Sequence, residues 1–204
     1  IFVLPMRNPF LVAKAISTAA IVSDNRVIPA IGVGWSKDEF GLLQQDFHTR
    51  GKRADEILEI LPLLWSGEMV SYEGQFYQFP RLEMNPAPTE LPPIWVGGIS
   101  KAAMRRAAHH DGWVSDLQTS DEIIDSVKLI RRYREEQGFN PEQFSVMATP
   151  SDAFTPDAYR KLEDNGITHI LTQPWPFYHG NTDDPVKKRD GVLRYAQDII
   201  AKMA

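Results

Sequence analysis

Short apolar runs alternate with helical patterns along almost the whole chain, and this alternation constrains the fold more than any single motif. The runs are only a few residues long, rich in valine and isoleucine, and not cleanly split into an apolar and a polar face. Such runs are typical of parallel strands that helices cover on both sides. The predicted strands are residues 1–5, 26–34, 93–96, 113–117, 144–148 and 167–172. Six strand–helix units in a row predict an α/β fold, either a (β/α)8 barrel or a doubly wound sheet.

Local capping signals mark where several of the helices begin and end. The stretch "PFLVAKAISTAAIV" predicts a helix that starts at Pro9, and Thr119 with Glu122 forms a capping box. Two more helix starts and one helix end are predicted at Thr155-Pro156, Asp184-Pro185 and Asn165-Gly166.

Residues 67–92 interrupt the alternation because they carry no helical period. The stretch "MVSYEGQFYQF" predicts a β-hairpin that turns at Glu73-Gly74, and the proline-rich "NPAPTELPP" predicts an extended return. We interpret this segment as an insertion over the strand ends rather than a second domain. The sequence therefore predicts one barrel domain over residues 1–204 with an insertion at about 67–92.

Composition excludes several classes of function. The net charge is −5, which argues against nucleic acid or an anionic membrane as a partner. The chain has no cysteine, and its five histidines have no spacing that would make a metal site, so no metal is expected. No apolar run approaches the roughly 20 residues that span a bilayer, and no signal peptide is visible, so a cytoplasmic protein is expected.

The carboxyl ends of the strands are where a parallel barrel places its chemistry. The third run ends at Gly97-Gly98, and Ile99 and Ser100 lead directly into a helix. Free backbone N–H groups at Gly98, Ile99 and Ser100 would then face a helix N-terminus, where a phosphate binds well. A tight turn with Ser100 as a simple N-cap explains the same residues equally well, so both interpretations stay open.

A second strand end is weaker evidence for a site. Gly32-Val33-Gly34 ends a predicted strand, and Trp35 follows it at a place where a planar ligand could lie against the ring. Two glycines at a strand end are more often just a tight turn. No Ser/His/Asp arrangement or nucleophile elbow is present, so no catalytic residue is predicted.

Three stretches together carry a family resemblance. They are "LPMRNPFLVAKAISTAAIVSDNRVIPAIGVGWSKDEF", "RGKRADEILEILPLLWSGEMVSYEGQFYQF" and "PAPTELPPIWVGGISKAAMRRAAHHDGWV". In this order they resemble the bacterial luciferase-like superfamily, and most closely its deazaflavin-dependent oxidoreductase branch. The resemblance implies a (β/α)8 TIM-barrel fold that binds coenzyme F420, the deazaflavin, with FMN as the alternative. It covers residues 3–117 strongly and the remainder more weakly.

The resemblance also implies which residues meet the cofactor. Gly97, Gly98, Ile99 and Ser100 match the phosphate-binding turn of the family. The ring-binding positions are matched by Val3, Leu4, Gly32, Val33 and Gly34. Trp35 follows them directly and is predicted to belong to the same cofactor site. The implied activity is that of an oxidoreductase or monooxygenase, which transfers a hydride to or from a small organic substrate or activates oxygen with reduced flavin. The alternative is a non-catalytic ligand-binding or structural remnant of such a barrel. A homodimer or higher self-association is expected.

Two departures from the family pattern matter. Relatives that oxidise sugar phosphates have an acidic proton donor where this chain has Trp35, which predicts a more apolar substrate pocket. Counterparts of the first two strands and their helices are absent, so the chain matches about six of the eight βα units, the C-terminal three-quarters of the barrel. We expect such a chain alone to be poorly soluble or self-associated, and an upstream segment of roughly 70–90 residues to restore it.

Overall fold

Strands and helices alternate along the chain as predicted, and they are distributed over two units. The computed structural model describes residues 1–203. The first unit comprises residues 1–97 and 110–112, and the second comprises residues 98–109 and those from 113 onward. Within residues 1–203, no helix is both long and apolar enough to cross a membrane.

The first unit contains three parallel strands, three helices and a hairpin. Its strand order is β1-β2-β5, with Phe2 opposite Ile31 and Ala30 opposite Trp95. Its elements are β1 (Phe2–Val3), α1 (Pro9–Val22), β2 (Ala30–Gly32), α2 (Lys37–Leu42), α3 (Arg50–Trp65), β3 (Val70–Glu73), β4 (Gln78–Leu82) and β5 (Trp95–Gly97). A short 3-10 turn, Leu4–Met6, follows β1.

The core of the first unit lies along one face of α3. Ile57, Leu61, Leu64 and Trp65 are buried there, at the three- and four-residue spacing of an amphipathic helix. The indole N–H of Trp65 donates to the carbonyl of Ala13 at 3.0 Å, so α1 and α3 are joined by a buried hydrogen bond as well as by packing.

The second unit repeats the alternation with strand order β6-β7-β8, in which Met147 of β7 lies opposite His169 of β8. Its elements are α4 (Lys101–Ala108), β6 (Gly112–Gln118, whose first residue belongs to the first unit), α5 (Ser120–Glu136), β7 (Ser145–Pro150), α6 (Pro156–Asp164), β8 (His169–Ile170), α7 (Pro176–His179), α8 (Pro185–Tyr195), a π-helical segment (Ala196–Ile200) and α9 (Ala201–Met203).

The helix starts are where the capping signals predicted them. Thr119 and Glu122 form the capping box of α5, and Thr155 and Asp184 cap α6 and α8. The hairpin is also confirmed, with β3 and β4 paired antiparallel. The predicted strands 1–5, 26–34 and 167–172 are too long, because the structure has only two or three residues of strand in each of these ranges. Pro5 and Pro29 lack the N–H that would extend the first two ladders.

Candidate functional site

The turn after β5 differs from the prediction at Gly98, the first of the three predicted amide donors. Gly98 has φ +120°, a conformation that glycine tolerates and other residues rarely adopt. Its N–H donates to the carbonyl of Val114 at 3.2 Å, and its carbonyl accepts from the indole N–H of Trp113 at 2.8 Å. The prediction of a free amide at Gly98 is therefore wrong, because both of its backbone groups are bonded to β6.

The next two amides remain open. Within residues 1–203, the N–H groups of Ile99 and Ser100 donate no hydrogen bond. The Ser100 hydroxyl accepts from the amide of Ala103 at 3.2 Å, so its role as the N-cap of α4 is confirmed. The first turn of α4 carries Lys101 and no acidic residue. Two open donors, a helix N-terminus and a lysine are therefore adjacent, a combination that favours a bound anion.

The start of α5 provides a contrast within the same unit. The Glu122 carboxylate accepts from the Thr119 amide at 2.8 Å and from the Thr119 hydroxyl at 2.9 Å. These hydrogen bonds, the backbone one first, lower the pKa of Glu122 below its ordinary value. The α5 N-terminus thus already holds a carboxylate, whereas the α4 N-terminus holds none.

Gly32 and Gly97, both in the first unit, make room for a side chain. A Cβ atom on Gly32 would come within 2.9 Å of the Ile1 Cγ2 atom, and one on Gly97 would overlap the Ile1 Cδ1 atom. The glycines therefore allow Ile1 to pack over these two strand ends. A role for Gly32 or Gly97 in cofactor binding stays a prediction.

The residues predicted to meet a ring system partly come together in the first unit. Gly34 has φ +78°, and a Cβ there would lie 2.7 Å from the Val3 Cγ1 atom, so Val3 and Gly34 are close neighbours. Leu4 is fully buried, which leaves its side chain inaccessible to a ligand. Val33 is half-buried, and Trp35 is 88% exposed. Trp35 thus offers an open aromatic face directly after the strand end.

Two arginines that the sequence analysis missed hold these strand ends in place. Arg50 donates from Nε to the carbonyl of Gly34 at 3.1 Å. Arg53 is only 8% exposed and donates to the carbonyls of Pro5 at 2.9 Å and Asp46 at 2.7 Å. Buried charge of this kind is stable only when it is well hydrogen-bonded. Their spacing of three residues along α3 is the signal that would have revealed a shared face.

Glu56 continues the same spacing and was also missed. Its carboxylate accepts from the amides of Gln75 at 2.8 Å, Phe76 at 2.9 Å and Tyr77 at 3.1 Å. One side chain of α3 therefore fixes the hairpin turn. Burial raises the pKa of the nearby Tyr77, and Arg53 partly offsets that effect.

The described part of the chain, residues 1–203, contains no cluster of histidine and acidic side chains that could hold a metal ion.

Sequence comparison places this arrangement in a known family. The sequence profile of the luciferase-like monooxygenases matches residues 1–183. The chain is 36% identical over 202 residues to the uncharacterized protein Rv0940c of Mycobacterium tuberculosis, covering 98% of this chain and 70% of that protein. It is 24% identical over 185 residues to the F420-dependent glucose-6-phosphate dehydrogenase of Nakamurella multipartita, covering 88% of this chain and 54% of that enzyme.

A further relative uses a different cofactor, and a solved structure supports the fold. The FMNH(2)-dependent dimethylsulfone monooxygenase of Pseudomonas fluorescens is 31% identical over 109 residues, which cover 52% of this chain and 30% of that enzyme. The coenzyme F420-dependent tetrahydromethanopterin reductase of Methanopyrus kandleri superposes with a TM-score of 0.76 at 14% identity, over 97% of this chain and 80% of that one. The fold is thus the α/β TIM-barrel type, smaller here than in the full family. Because the family profile matches residues 1–183, most of this chain, the chain belongs to the luciferase-like monooxygenase family.

Proposed function

We propose that this chain binds coenzyme F420 and acts as an oxidoreductase on a small organic substrate, with FMN as the alternative cofactor. The observation that carries the proposal is the turn after β5, where the open amides of Ile99 and Ser100 lie beside Lys101 without a competing carboxylate. This turn suits the phosphate that F420 and FMN share. Family membership supports the same conclusion, because relatives named for F420 and for FMNH(2) both match this chain.

Each part of the chain has a defined role in this proposal. The amides of Ile99 and Ser100 would donate to phosphate oxygens, and Lys101 would add charge. Gly98 would contribute its backbone conformation rather than a hydrogen-bond donor, since its N–H already donates to the carbonyl of Val114. In the first unit, Trp35 would offer an aromatic surface to a planar ring, and Arg50 would hold the backbone of Gly34 in place.

The cofactor, when bound, would supply the hydride chemistry, and the protein would supply orientation and exclusion of water. The apolar character of Trp35 favours a substrate less polar than a sugar phosphate. F420 is favoured over FMN because the sequence stretches resemble the deazaflavin branch most closely. The dimethylsulfone monooxygenase match keeps oxygen activation with reduced FMN as the second candidate.

A paired titration tests this proposal. Purified protein is titrated with F420 and, separately, with FMN, and binding is followed by absorbance and by cofactor fluorescence. We expect the tighter complex with F420, and Lys101→Glu should weaken it about tenfold, through a lost charge-assisted contact. Lys128→Glu makes the same charge change on the exposed face of α5 and should leave affinity unchanged.

Three results would count against the proposal. If neither cofactor binds, the redox function fails, and a structural remnant of the barrel becomes the better interpretation. If both lysine variants weaken binding equally, the effect is one of overall charge and the turn after β5 is not the phosphate site. Binding without substrate-dependent reduction of F420, across alcohols and aldehydes, would favour a non-catalytic ligand-binding protein.

A further inference from the structure

The turn after β5 is held by Trp113, the second residue of β6. The indole of Trp113 is fully buried, and its N–H donates to the Gly98 carbonyl at 2.8 Å. The Gly98 N–H donates to the carbonyl of Val114 at 3.2 Å. Two adjacent residues of β6 therefore fix the two peptide groups that meet at Gly98, one through a side chain and the other through the backbone.

The hydrogen bond from Trp113 also sets the direction of the next amide. The Gly98 carbonyl and the Ile99 N–H belong to one peptide group, and in a planar trans peptide they point in opposite directions. Because the carbonyl is turned towards the buried indole, the Ile99 N–H is turned away from it. This N–H is one of the two open donors of the turn. Its direction is thus set by a side chain that lies 15 positions beyond Gly98 in sequence.

The backbone at Gly98 is not restricted by a side chain of its own. Its φ of +120° lies in a region that glycine adopts readily, and glycine has the widest choice of backbone conformations. Rotation of the peptide between Gly98 and Ile99 would bring a carbonyl oxygen to the place of the open N–H, and that oxygen would repel an anion. The same rotation would leave the fully buried indole N–H of Trp113 without an acceptor, which is costly. Trp113 therefore disfavours the rotated form.

The second open amide depends on a different interaction. The Ser100 hydroxyl accepts from the Ala103 amide at 3.2 Å, which fixes Ser100 to the first turn of α4. No atom of Trp113 takes part in this cap. Loss of the indole N–H should therefore release the Ile99 amide and leave the start of α4 intact.

We propose that Trp113 is a positioning residue for an anion at this turn, and that it acts through the Gly98 carbonyl to aim the Ile99 N–H at a phosphate oxygen. The proposal rests on the phosphate site of the proposed function and not on its redox chemistry. Trp113 itself touches neither phosphate nor ring, because its indole is fully buried.

Two replacements remove the indole N–H, and a third provides a matched control. Trp113→Phe keeps an aromatic side chain. Replacing the Trp113 indole by benzothiophene, which has sulfur in place of the N–H, removes the donor and keeps the shape. Trp65→Phe is the control, because Trp65 is 1% exposed and its indole N–H also donates to a backbone carbonyl, that of Ala13 at 3.0 Å. Both phenylalanine variants lose one buried hydrogen bond, so a general loss of stability would affect them alike.

Inorganic phosphate is a probe that needs no cofactor. It is titrated into each protein while amide NMR spectra are recorded, with sodium chloride as the control for ionic strength. We expect phosphate to shift the amide signals of Ile99 and Ser100 in the wild type. Its Kd should rise about tenfold in both Trp113 replacements, as the loss of one charge-assisted hydrogen bond implies, and should stay within about twofold in Trp65→Phe.

A cofactor pair measures the same effect on the larger ligand. The cofactor that binds more tightly is compared with its phosphate-free ring system, which is riboflavin for FMN and the ribityl deazaflavin for F420. We expect Trp113→Phe to weaken the phosphate-bearing ligand about tenfold and to leave the phosphate-free one within about twofold. A merely structural role for Trp113 would weaken both ligands equally.

Three results would overturn the proposal. The first is the absence of phosphate-dependent shifts at Ile99 and Ser100 in the wild type. The second is equal weakening of phosphate binding in Trp113→Phe and Trp65→Phe, and the third is unchanged phosphate affinity in the benzothiophene replacement. Failure of the proposed redox function gives a different result. Phosphate binding would then still depend on the Trp113 N–H, which supports the positioning role, while neither F420 nor FMN binds.

Discussion

The guanidinium of Arg53 donates to the carbonyl of Pro5 at 2.9 Å, across 48 positions of sequence. Pro5 lies in the turn after β1, beside the strand end predicted to meet a cofactor ring. The same guanidinium donates to the carbonyl of Asp46, so one side chain of α3 holds two loops. The position of the β1 end thus depends on a buried charge that no local pattern specifies.

Replacing Arg53 tests that dependence. Arg53→Lys keeps the charge but loses the planar fork, so at least one buried carbonyl loses its donor. We expect a loss of about 2–3 kcal/mol in the free energy of unfolding, measured by urea denaturation. Arg81→Lys, at an exposed position of β4, should stay within about 0.5 kcal/mol of the wild type. Equal losses in the two variants would remove the special role of Arg53.

The hairpin depends on Glu56 in a similar way. Glu56→Gln removes the negative charge and one of the two acceptor oxygens that three turn amides share. We expect amide hydrogen exchange at residues 75–77 to become about tenfold faster, because the turn opens more often.

Glu59→Gln is the matched control for the hairpin. Glu59 accepts from the Tyr72 hydroxyl at 2.7 Å, so its replacement affects β3 and leaves the turn amides bonded. Exchange at residues 75–77 should then stay as slow as in the wild type. If Glu59→Gln accelerates it equally, the hairpin moves as a whole and Glu56 has no separate part in fixing its turn.

The helix starts could be predicted because a cap is local chemistry. Ser100, Thr119, Thr155 and Asp184 each accept from an amide two or three residues ahead, and the sequence contains both partners within one turn. The lengths of the strands could not be predicted in the same way. A strand ends where its neighbour stops offering partners, and the neighbours of these strands are distant in sequence.

In the candidate site, too, local features could be predicted and contacts between distant residues could not. The turn Gly97-Gly98-Ile99-Ser100 and the helix after it were predicted from a few adjacent residues. The hydrogen bond from the Gly98 amide to the Val114 carbonyl could not be predicted in this way. Val114 lies 16 positions further along the chain and comes close to Gly98 only in the folded unit. The glycine pattern likewise gives no hint that Ile1 packs over Gly97.

A carboxylate in the second unit predicts a pH dependence of stability. Asp152 accepts from the Ser120 hydroxyl at 2.6 Å and from the Ser120 amide at 2.8 Å. These hydrogen bonds, the hydroxyl one first, lower the pKa of Asp152 below its ordinary value of 3.8. A lowered pKa in the folded state means that the ionised form stabilises the fold above pH 3.8 and that this contribution is lost as the pH falls further.

Asp152→Asn makes this contribution measurable. Because Asp152 is exposed, we expect a loss of only about 1 kcal/mol at neutral pH, and a difference that shrinks as the pH falls below 3.8. The measurement is urea denaturation of both proteins across that range. Asp125→Asn, at an exposed position of α5, should have an effect below about 0.5 kcal/mol throughout. A loss in Asp152→Asn that stays constant with pH would rule out the carboxylate as its source.

Trp35 provides the sharpest test of the predicted ring-binding residues. Its indole is 88% exposed and follows Gly34, whose backbone Arg50 holds. If a flavin-like ring binds against it, tryptophan fluorescence should be quenched on addition of F420. Trp35→Phe should abolish most of that quenching and weaken binding by about 0.5–1.5 kcal/mol. Trp175→Phe, at the start of α7 in the second unit, should do neither. The resemblance implies an acidic proton donor at this position in relatives that oxidise sugar phosphates, so we also expect no turnover of glucose 6-phosphate with F420. Steady oxidation of that sugar, or full quenching in Trp35→Phe, would show that Trp35 does not define the pocket.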